Sequence, residues 1–378
     1  MRYWIVGAGP AGCTLARALA ERGADVTVWE RRAHVAGNTF DEPDDAGVLV
    51  HRYGPHIFHT RDKDAYDFLS RFTEWYPLKH RVLANVHGKL LPVPFNLTAL
   101  RMAFDAQKAA LLETQLRDTY GYGARISILE LRKRQEPALK ELADYVYENV
   151  FRFYTQKQWG KAPDALDPAA MARVPVLISE EDGYFQDPYQ GMPLQGFTAL
   201  FSRMLDHPRI RVELGVDACK RMALHGDTLT LDGAPFHEPV VYTGALDELL
   251  GYRLGRLPYR TLDFAFETLP VDSFQPVGVV NYTVDEAFTR ITEFKKLTGQ
   301  TLPGVTTIAR EYPRACGEGD TPYYPIPDQA SAERYAAYRL QADCCPNLTL
   351  LGRLAEYRYY NIDVIVSRAL ETSRTLTA

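Results

Sequence analysis

The chain has little cysteine: Cys13, Cys219, Cys316, Cys344 and Cys345 in 378 residues, an odd number with no C-x-x-C spacing. That argues against a disulfide framework and the common zinc-ribbon patterns, and reads as reduced thiols in a cytoplasmic protein. No apolar run is long enough to span a bilayer. Neither charge dominates, with 43 basic against 48 acidic residues and no block of one sign. A nucleic-acid or membrane-surface footprint is therefore not expected. Internal repeats and low-complexity segments are missing, as is any paired-carboxylate or serine–histidine arrangement that would mark a protein nucleophile. What remains is a globular chain, 46% hydrophobic and long enough for two or three cores. It is rich in tyrosine, with 23, and these bear on the binding site below.

The first thirty residues organise the rest. Arg2 to Val6 is a short apolar strand, and Gly7-Ala8-Gly9-Pro10-Ala11-Gly12 follows as G-x-G-x-x-G. Residues 13–22 read as a helix and Asp25 to Trp29 as a second strand ending on Glu30. Gly7 allows the tight turn, Gly9 lets a pyrophosphate approach the backbone, and Gly12 lets helix and strand pack closely. The helix N-terminus offers unpaired N–H groups to phosphates. Glu30 stands where a carboxylate takes both hydroxyls of an adenosine ribose. The glycines and Pro10 interrupt the apolar run, so the segment reads as fold rather than signal peptide. Arg31 or Arg32 could cover the adenine side or a phosphate, or form a solvated turn. Gly37-Asn38 is a second loop, placed to meet the far half of a long cofactor.

Three histidines, His51, His56 and His59, surround Gly54-Pro55. In extended chain His56 and His59 face opposite sides, so a shared metal is not expected. Plain structural histidines or a histidine beside a cofactor ring remain, with His56 favoured for the latter. Residues 62–76 read as an amphipathic helix, and Val82 to Val93 as a hairpin around His87-Gly88. Residues 97–158 are mostly helical in pattern. Val240 to Thr243 is an apolar strand running into Gly244, as in a chain returning to a parallel sheet beside a cofactor. From Tyr259 to Tyr312, short alternating strands read as an antiparallel sheet. A final helix, Val364 to Leu376, is capped by Asn361-Ile-Asp363.

The expected fold is α/β. A discontinuous Rossmann-like domain takes residues 1–79, 200–255 and 335–378. A helical insertion takes 96–165, with a mobile flap after it. An antiparallel sheet domain takes 80–95, 166–199 and 256–334. No second glycine fingerprint is present, and the nucleotide-binding sheet closes at the far C-terminus. One long cofactor lying across the domain fits this better than a nicotinamide, which favours FAD.

Seven stretches then resemble the bacterial UDP-galactopyranose mutase family, in family order from end to end. They are Tyr53-Gly-Pro-His-Ile-Phe-His-Thr60, Tyr154-Thr-Gln-Lys-Gln-Trp-Gly160, Arg173-Val-Pro175, Tyr259-Arg-Thr-Leu262, Thr289-Arg-Ile-Thr-Glu293, Pro322-Tyr-Tyr-Pro325 and Gly352-Arg-Leu-Ala-Glu-Tyr-Arg-Tyr-Tyr360. The resemblance implies redox-neutral interconversion of UDP-galactopyranose and UDP-galactofuranose, a precursor for cell-surface polysaccharide. The cofactor is FAD, active only when reduced by an external electron donor, its N5 acting as nucleophile at the anomeric carbon. A homodimer is expected.

By resemblance Arg173 and Arg290 neutralise the pyrophosphate, and His56 and Ile57 sit against the flavin. Tyr154 with Phe151 would stack on uracil, and Trp159 and Thr155 would line the sugar side. Tyr184, Phe185, Asn281, Tyr324, Arg353 and Tyr359 are further substrate contacts. Thr243, Gly244, Gly352, Arg353, Tyr360, Asn361, Ile362 and Asp363 join the cofactor set, the last two at the pyrimidine edge of the flavin. The segment at Arg173 would belong to the flap. Many relatives carry two glycines where this chain has Ala36-Gly37, and methionine where it has Ile362. The alternative is an FAD oxidoreductase of the amine-oxidase or desaturase kind. Such enzymes commonly carry Gly-Asp at the last strand, where this chain has Gly352-Arg353.

Overall fold

The structure is a computed structural model and describes residues 1–161, 163 and 174–376. Its contacts divide the chain into two compact units. The first comprises Met1–Pro77, Asp187–Tyr259 and Glu318–Ala378; the second comprises Leu78–Gln186 and Arg260–Gly317. The helical segment and the strands expected as a separate sheet domain thus fall together in the second unit. Residues 187–199, expected with the sheet domain, pack with the first unit, because Tyr189–Pro193 pairs with Phe58–Thr60 and Trp75–Pro77.

The first unit is built on a five-stranded parallel sheet in the order Ile210–Leu214, Asp25–Glu30, Arg2–Val6, Val240–Tyr242, Leu348–Leu350. The inner strands Arg2–Val6 and Val240–Tyr242 are largely apolar because helices cover the sheet, as parallel sheets require, while the edge strand Ile210–Leu214 carries Arg211 and Glu213. The helix Pro10–Glu21 has proline in its first turn and buries Ala11, Cys13, Leu15, Ala16 and Leu19. It packs against the last helix, Ile362–Leu376, which begins two residues before the expected Val364. The predicted helix over 62–76 stops at Ser70. Trp75 and Tyr76 enter a strand instead, where aromatic residues fit the pleat, and Trp75 Nε1 donates to Ser70 Oγ at 2.8 Å.

In the second unit the strands run in the order Tyr259–Leu269, Thr306–Ala315, Arg290–Glu293, Val279–Tyr282, Val82–Val86, Lys89–Val93. Neighbours are antiparallel except Val279–Tyr282 beside Val82–Val86, which is parallel. The sheet is therefore mixed where antiparallel pairing throughout was expected, because two distant hairpins join edge to edge. The predicted turn at His87-Gly88 is present, both residues having positive φ. The helices Leu97–Ala103 and Ala106–Tyr120 are capped by Asn96 and Asp105 side chains. A π-helical turn, Tyr147–Arg152, links the helices Pro137–Val146 and Phe153–Trp159. No helix among the described residues is long and apolar enough to cross a membrane.

Candidate functional site

The first unit carries the nucleotide half. From Arg2–Val6 the chain turns to one neighbour in the sheet, and it returns through Val240–Tyr242 on the other. The carboxyl ends of these two strands are the switch point where open α/β sheets take their ligands. Gly7 lies there with φ +104°, and a Cβ on it would collide with Thr243 Oγ1, which donates to the Val6 carbonyl at 2.7 Å. A Cβ on Gly12 would collide with the Gly7 carbonyl. Gly9 and Gly37 approach so closely that a Cβ on Gly37 would lie 2.9 Å from the Gly9 Cα. Two loops thus present bare backbone to one place, with Pro10 and Ala11 opening the helix and Gly244 following the return strand. Gly352, also at positive φ, reaches the same place: its Cβ would meet that of Ala11 at 3.4 Å.

Glu30 is buried at the end of the second strand. Its Oε2 accepts from the Ala8 N–H at 2.8 Å and its Oε1 from the Arg32 N–H at 2.9 Å. A carboxylate has about four acceptor positions, so room for ribose hydroxyls remains. Arg32 donates to Asn38 Oδ1 at 2.8 Å and lies 4.3 Å from the Tyr53 ring centroid. Its buried Nη1 has no hydrogen-bond partner among the described residues and fits an anion. Arg31 is held in a two-point ion pair with Glu248, at 2.8 and 3.0 Å. Glu248 also belongs to the one grouping near enough for a metal among the described residues, Asp217, Cys219 and Glu248. It contains no histidine, and the Arg31 guanidinium already supplies the cation.

The three histidine rings meet different partners. His51 is buried in the strand Leu49–His51, and His59 binds Asp187 through Nδ1 at 2.7 Å. His56 is half-buried beside Ile57, its Nδ1 2.9 Å from the Gly54 carbonyl. At the C-terminal end, Arg353 Nη2 donates to the Tyr360 carbonyl at 2.6 Å, and its guanidinium lies 4.6 Å over Tyr359. The Tyr324 and Tyr359 rings are 5.8 Å apart. Asn361 precedes the last helix. Ile362 is buried in its first turn, and the buried Asp363 Oδ1 has no partner among the described residues. The glycine cradle, Glu30 and Arg32 together fit a dinucleotide.

The second unit carries the other candidates. Phe151 is buried in the π-helical turn; Tyr154, Thr155 and Trp159 follow on the helix Phe153–Trp159. Tyr184 and Phe185 pack around His80 at ring distances of 5.7 and 5.8 Å. Asn281, Arg290 and Glu311 lie in register across three adjacent strands, so their side chains share one face. Arg290 Nε donates to Glu311 Oε2 at 2.9 Å, and the buried Asn281 Oδ1 has no partner among the described residues. Burial pushes the Glu311 carboxyl above its ordinary range, and Arg290 pulls it back. Arg173, with residues 164–172 before it in the expected flap, lies outside the described residues.

Two residues of the second unit, Glu311 and Lys157, escaped sequence reasoning. Glu311 reads as a polar position in an alternating strand, although an acid among Ile308 and Ala309 was the available signal. Lys157 lies inside the Tyr154–Gly160 stretch, where its neighbours Tyr154, Thr155 and Trp159 were given roles and it was not.

A family model for UDP-galactopyranose mutase matches residues 149–359, and one for an NAD(P)-binding Rossmann-like domain matches residues 5–72. A Klebsiella pneumoniae protein described as "Probable UDP-galactopyranose mutase" is 36% identical, over 98% of this chain and 93% of that protein. An Escherichia coli dTDP-fucopyranose mutase is 34% identical, over 98% and 97%. A Mycoplasma pneumoniae UDP-galactopyranose mutase is 33% identical, over 99% and 96%. Among solved structures, reduced UDP-galactopyranose mutase matches the fold with a TM-score of 0.75 at 16% identity, over 99% of this chain and 95% of that one. Wild-type putrescine oxidase matches less well, with a TM-score of 0.57 at 12% identity, over 100% and 99%. Near-full-length identity above 30% and a family model spanning more than half the sequence lead to one conclusion: the chain belongs to the UDP-galactopyranose mutase family.

Proposed function

We propose that this chain interconverts UDP-galactopyranose and UDP-galactofuranose, without net oxidation, using FAD held by its first unit. The observation that carries the reading is the likeness to named mutases along 98% of the chain. The glycine cradle, Glu30 and an Arg32 Nη1 without a partner among the described residues support a dinucleotide in that unit. When bound and reduced, the flavin supplies the nucleophile for the anomeric carbon.

The protein's own part is binding, orientation and charge. Arg290 neutralises the departing diphosphate, its guanidinium aimed by Glu311. Arg173 is assigned the same task by resemblance. Asn281 offers a buried acceptor beside Arg290. Tyr154 and Phe151 take the uracil, and Trp159 and Thr155 the sugar side, with Tyr184 and Phe185 as further contacts. Tyr324, Tyr359 and Arg353 hold the diphosphate and sugar. His56 and Ile57 would hold the flavin, and the backbone at Ile362-Asp363 would stabilise negative charge on it through the N-terminal end of the helix dipole. The family resemblance supports a homodimer reduced by an external donor. The odd number of cysteines and the lack of C-x-x-C spacing support a reducing, cytoplasmic setting.

The test incubates purified protein with UDP-galactofuranose, with and without dithionite, and separates the products. Conversion only after reduction is expected; equal conversion by oxidised or flavin-stripped protein would refute the reading. A parallel arm with dTDP-fucofuranose is required, because the dTDP-fucopyranose mutase is nearly as similar. Turnover confined to that arm would move the substrate to the dTDP-sugar class.

A further inference from the structure

We propose that Lys157 is a positioning residue for the reaction, pinning the helix that carries Tyr154 and Trp159 to the connection between Asn281 and Arg290. The inference rests on the substrate assignment above. Lys157 lies on the helix Phe153–Trp159, and its side chain leaves the helix to enter the segment between the strands Val279–Tyr282 and Arg290–Glu293. There its Nζ donates to three backbone carbonyls: Tyr282 at 2.6 Å, Glu286 at 2.9 Å and Phe288 at 3.2 Å. An ammonium has three protons for three acceptors, whereas a neutral amine has two, so the site is built for the charged form. Burial opposes that charge, and Glu286 and Asp285 favour it. The connection is closed at its base by the Tyr282 N–H donating to the Thr289 carbonyl at 2.8 Å. It is tied to the π-helical turn by Thr283 Oγ1 donating to the Asn149 carbonyl at 2.6 Å.

The helix is clamped from its other side as well. Arg260 donates through Nε to the Gln158 carbonyl and through Nη2 to the Lys157 carbonyl, both at 3.0 Å. These are carbonyls of the helix's last turn, which lack partners within the helix. Arg260 thus fixes the backbone of Lys157 while the Lys157 side chain fixes the loop. The Lys157 ammonium, with the Thr283 tie beside it, thus sets the helix that carries Tyr154 and Trp159 against the connection that joins Asn281 to Arg290. A lysine that served packing alone would not need to place all three protons on one loop.

The test compares the wild-type holoenzyme with Lys157→Met and Lys157→Cys, the cysteine variant before and after aminoethylation, which restores an ammonium at nearly the original reach. Wild type treated with the same reagent is the control for the native thiols. Bound FAD, UDP affinity and turnover are read separately. Lys157→Met is expected to keep its FAD but to lose about tenfold or more in both UDP affinity and kcat, about 1.4 kcal/mol for each tenfold step. Aminoethylation of the cysteine variant is expected to restore UDP affinity. UDP affinity and turnover within twofold of wild type in Lys157→Met would overturn the proposal. So would an aminoethylated variant that regains FAD and thermal stability but not UDP affinity. If the wild type itself binds no UDP, the substrate assignment fails rather than the role of Lys157. Should the methionine variant not fold, the paired cysteine measurements decide alone.

Discussion

Arg290 stands directly opposite Glu311 in the strand register, and its Nε donates to a carboxylate that is only 1% exposed. The pair fixes the Nε edge of the guanidinium against the sheet face. A buried carboxylate without this partner would be costly, by about 3–5 kcal/mol if it stayed ionised. Arg290→Ala should therefore abolish turnover while FAD stays bound, with Glu311 relieving the loss of charge balance by taking up a proton. Normal turnover in that variant would remove Arg290 from the diphosphate site.

The two roles of Glu311, charge and aim, separate by substitution. Glu311→Gln keeps an oxygen acceptor for Arg290 Nε and removes the counter-charge, so UDP affinity should hold or tighten. Glu311→Ala removes the acceptor, and UDP affinity should drop by about tenfold, or 1.4 kcal/mol. Calorimetric titration of both variants with UDP measures this; equal behaviour of glutamine and alanine would show that aim is not the role.

Glu30 makes its two backbone contacts at the mouth of the glycine turn, remote in sequence from every residue assigned to UDP. Glu30→Ala should weaken FAD retention, read as flavin released on gel filtration, more than it weakens UDP binding. Equal losses would undercut the ribose assignment.

Ala36 has φ 71° and is completely buried, a left-handed backbone that costs an L-residue with a Cβ about 1–2 kcal/mol. By the family resemblance it takes the place of a glycine, and its backbone has the left-handed conformation that glycine adopts most easily. Ala36→Gly should relieve that strain, offset in part by the extra backbone freedom of glycine when unfolded, about 0.5–1 kcal/mol. The expected outcome is a melting temperature equal to or above wild type with FAD affinity retained. A marked loss of stability would mean that the Ala36 methyl packs better than its backbone suggests.

The nucleotide half was legible because its chemistry is local: the turn at Gly7, the packing at Gly12 and the acid at Glu30 all lie within one strand–helix–strand unit. The return strand at Val240 was readable from its apolar run. Glu311 and Lys157 were not, because what makes them special is a partner far away in sequence, Arg290 for one and the Tyr282–Phe288 carbonyls for the other. Trp75 was misplaced for the same reason: 62–76 carries helical periodicity, but pairing with Tyr189–Pro193 wins at its end. The π-helical turn at Tyr147–Arg152 has no composition signal, since it differs from the flanking helices only in which carbonyl each N–H finds.

His51 supports the loop that carries His56 and Ile57, and its charge state matters to that support. The His56 N–H donates to His51 Nδ1 at 3.2 Å, so Nδ1 holds no proton, and Nε2 lies 3.8 Å from Asp41 Oδ2. Burial pushes His51 below its ordinary value of 6.5, with Asp41 pulling the other way. The sign follows from proton counting. Below 6.5 the unfolded chain takes up a proton that the native state refuses, so stability falls as pH drops from 6.5 toward the lowered native value. Forced protonation would set an Nδ1–H against the His56 N–H and displace the loop beside the proposed flavin. Thermal melts and flavin release should therefore worsen together below pH 6.5. His51→Gln, which keeps an amide oxygen and cannot titrate, should flatten both curves in that range. A variant with wild-type pH dependence would place the titration elsewhere.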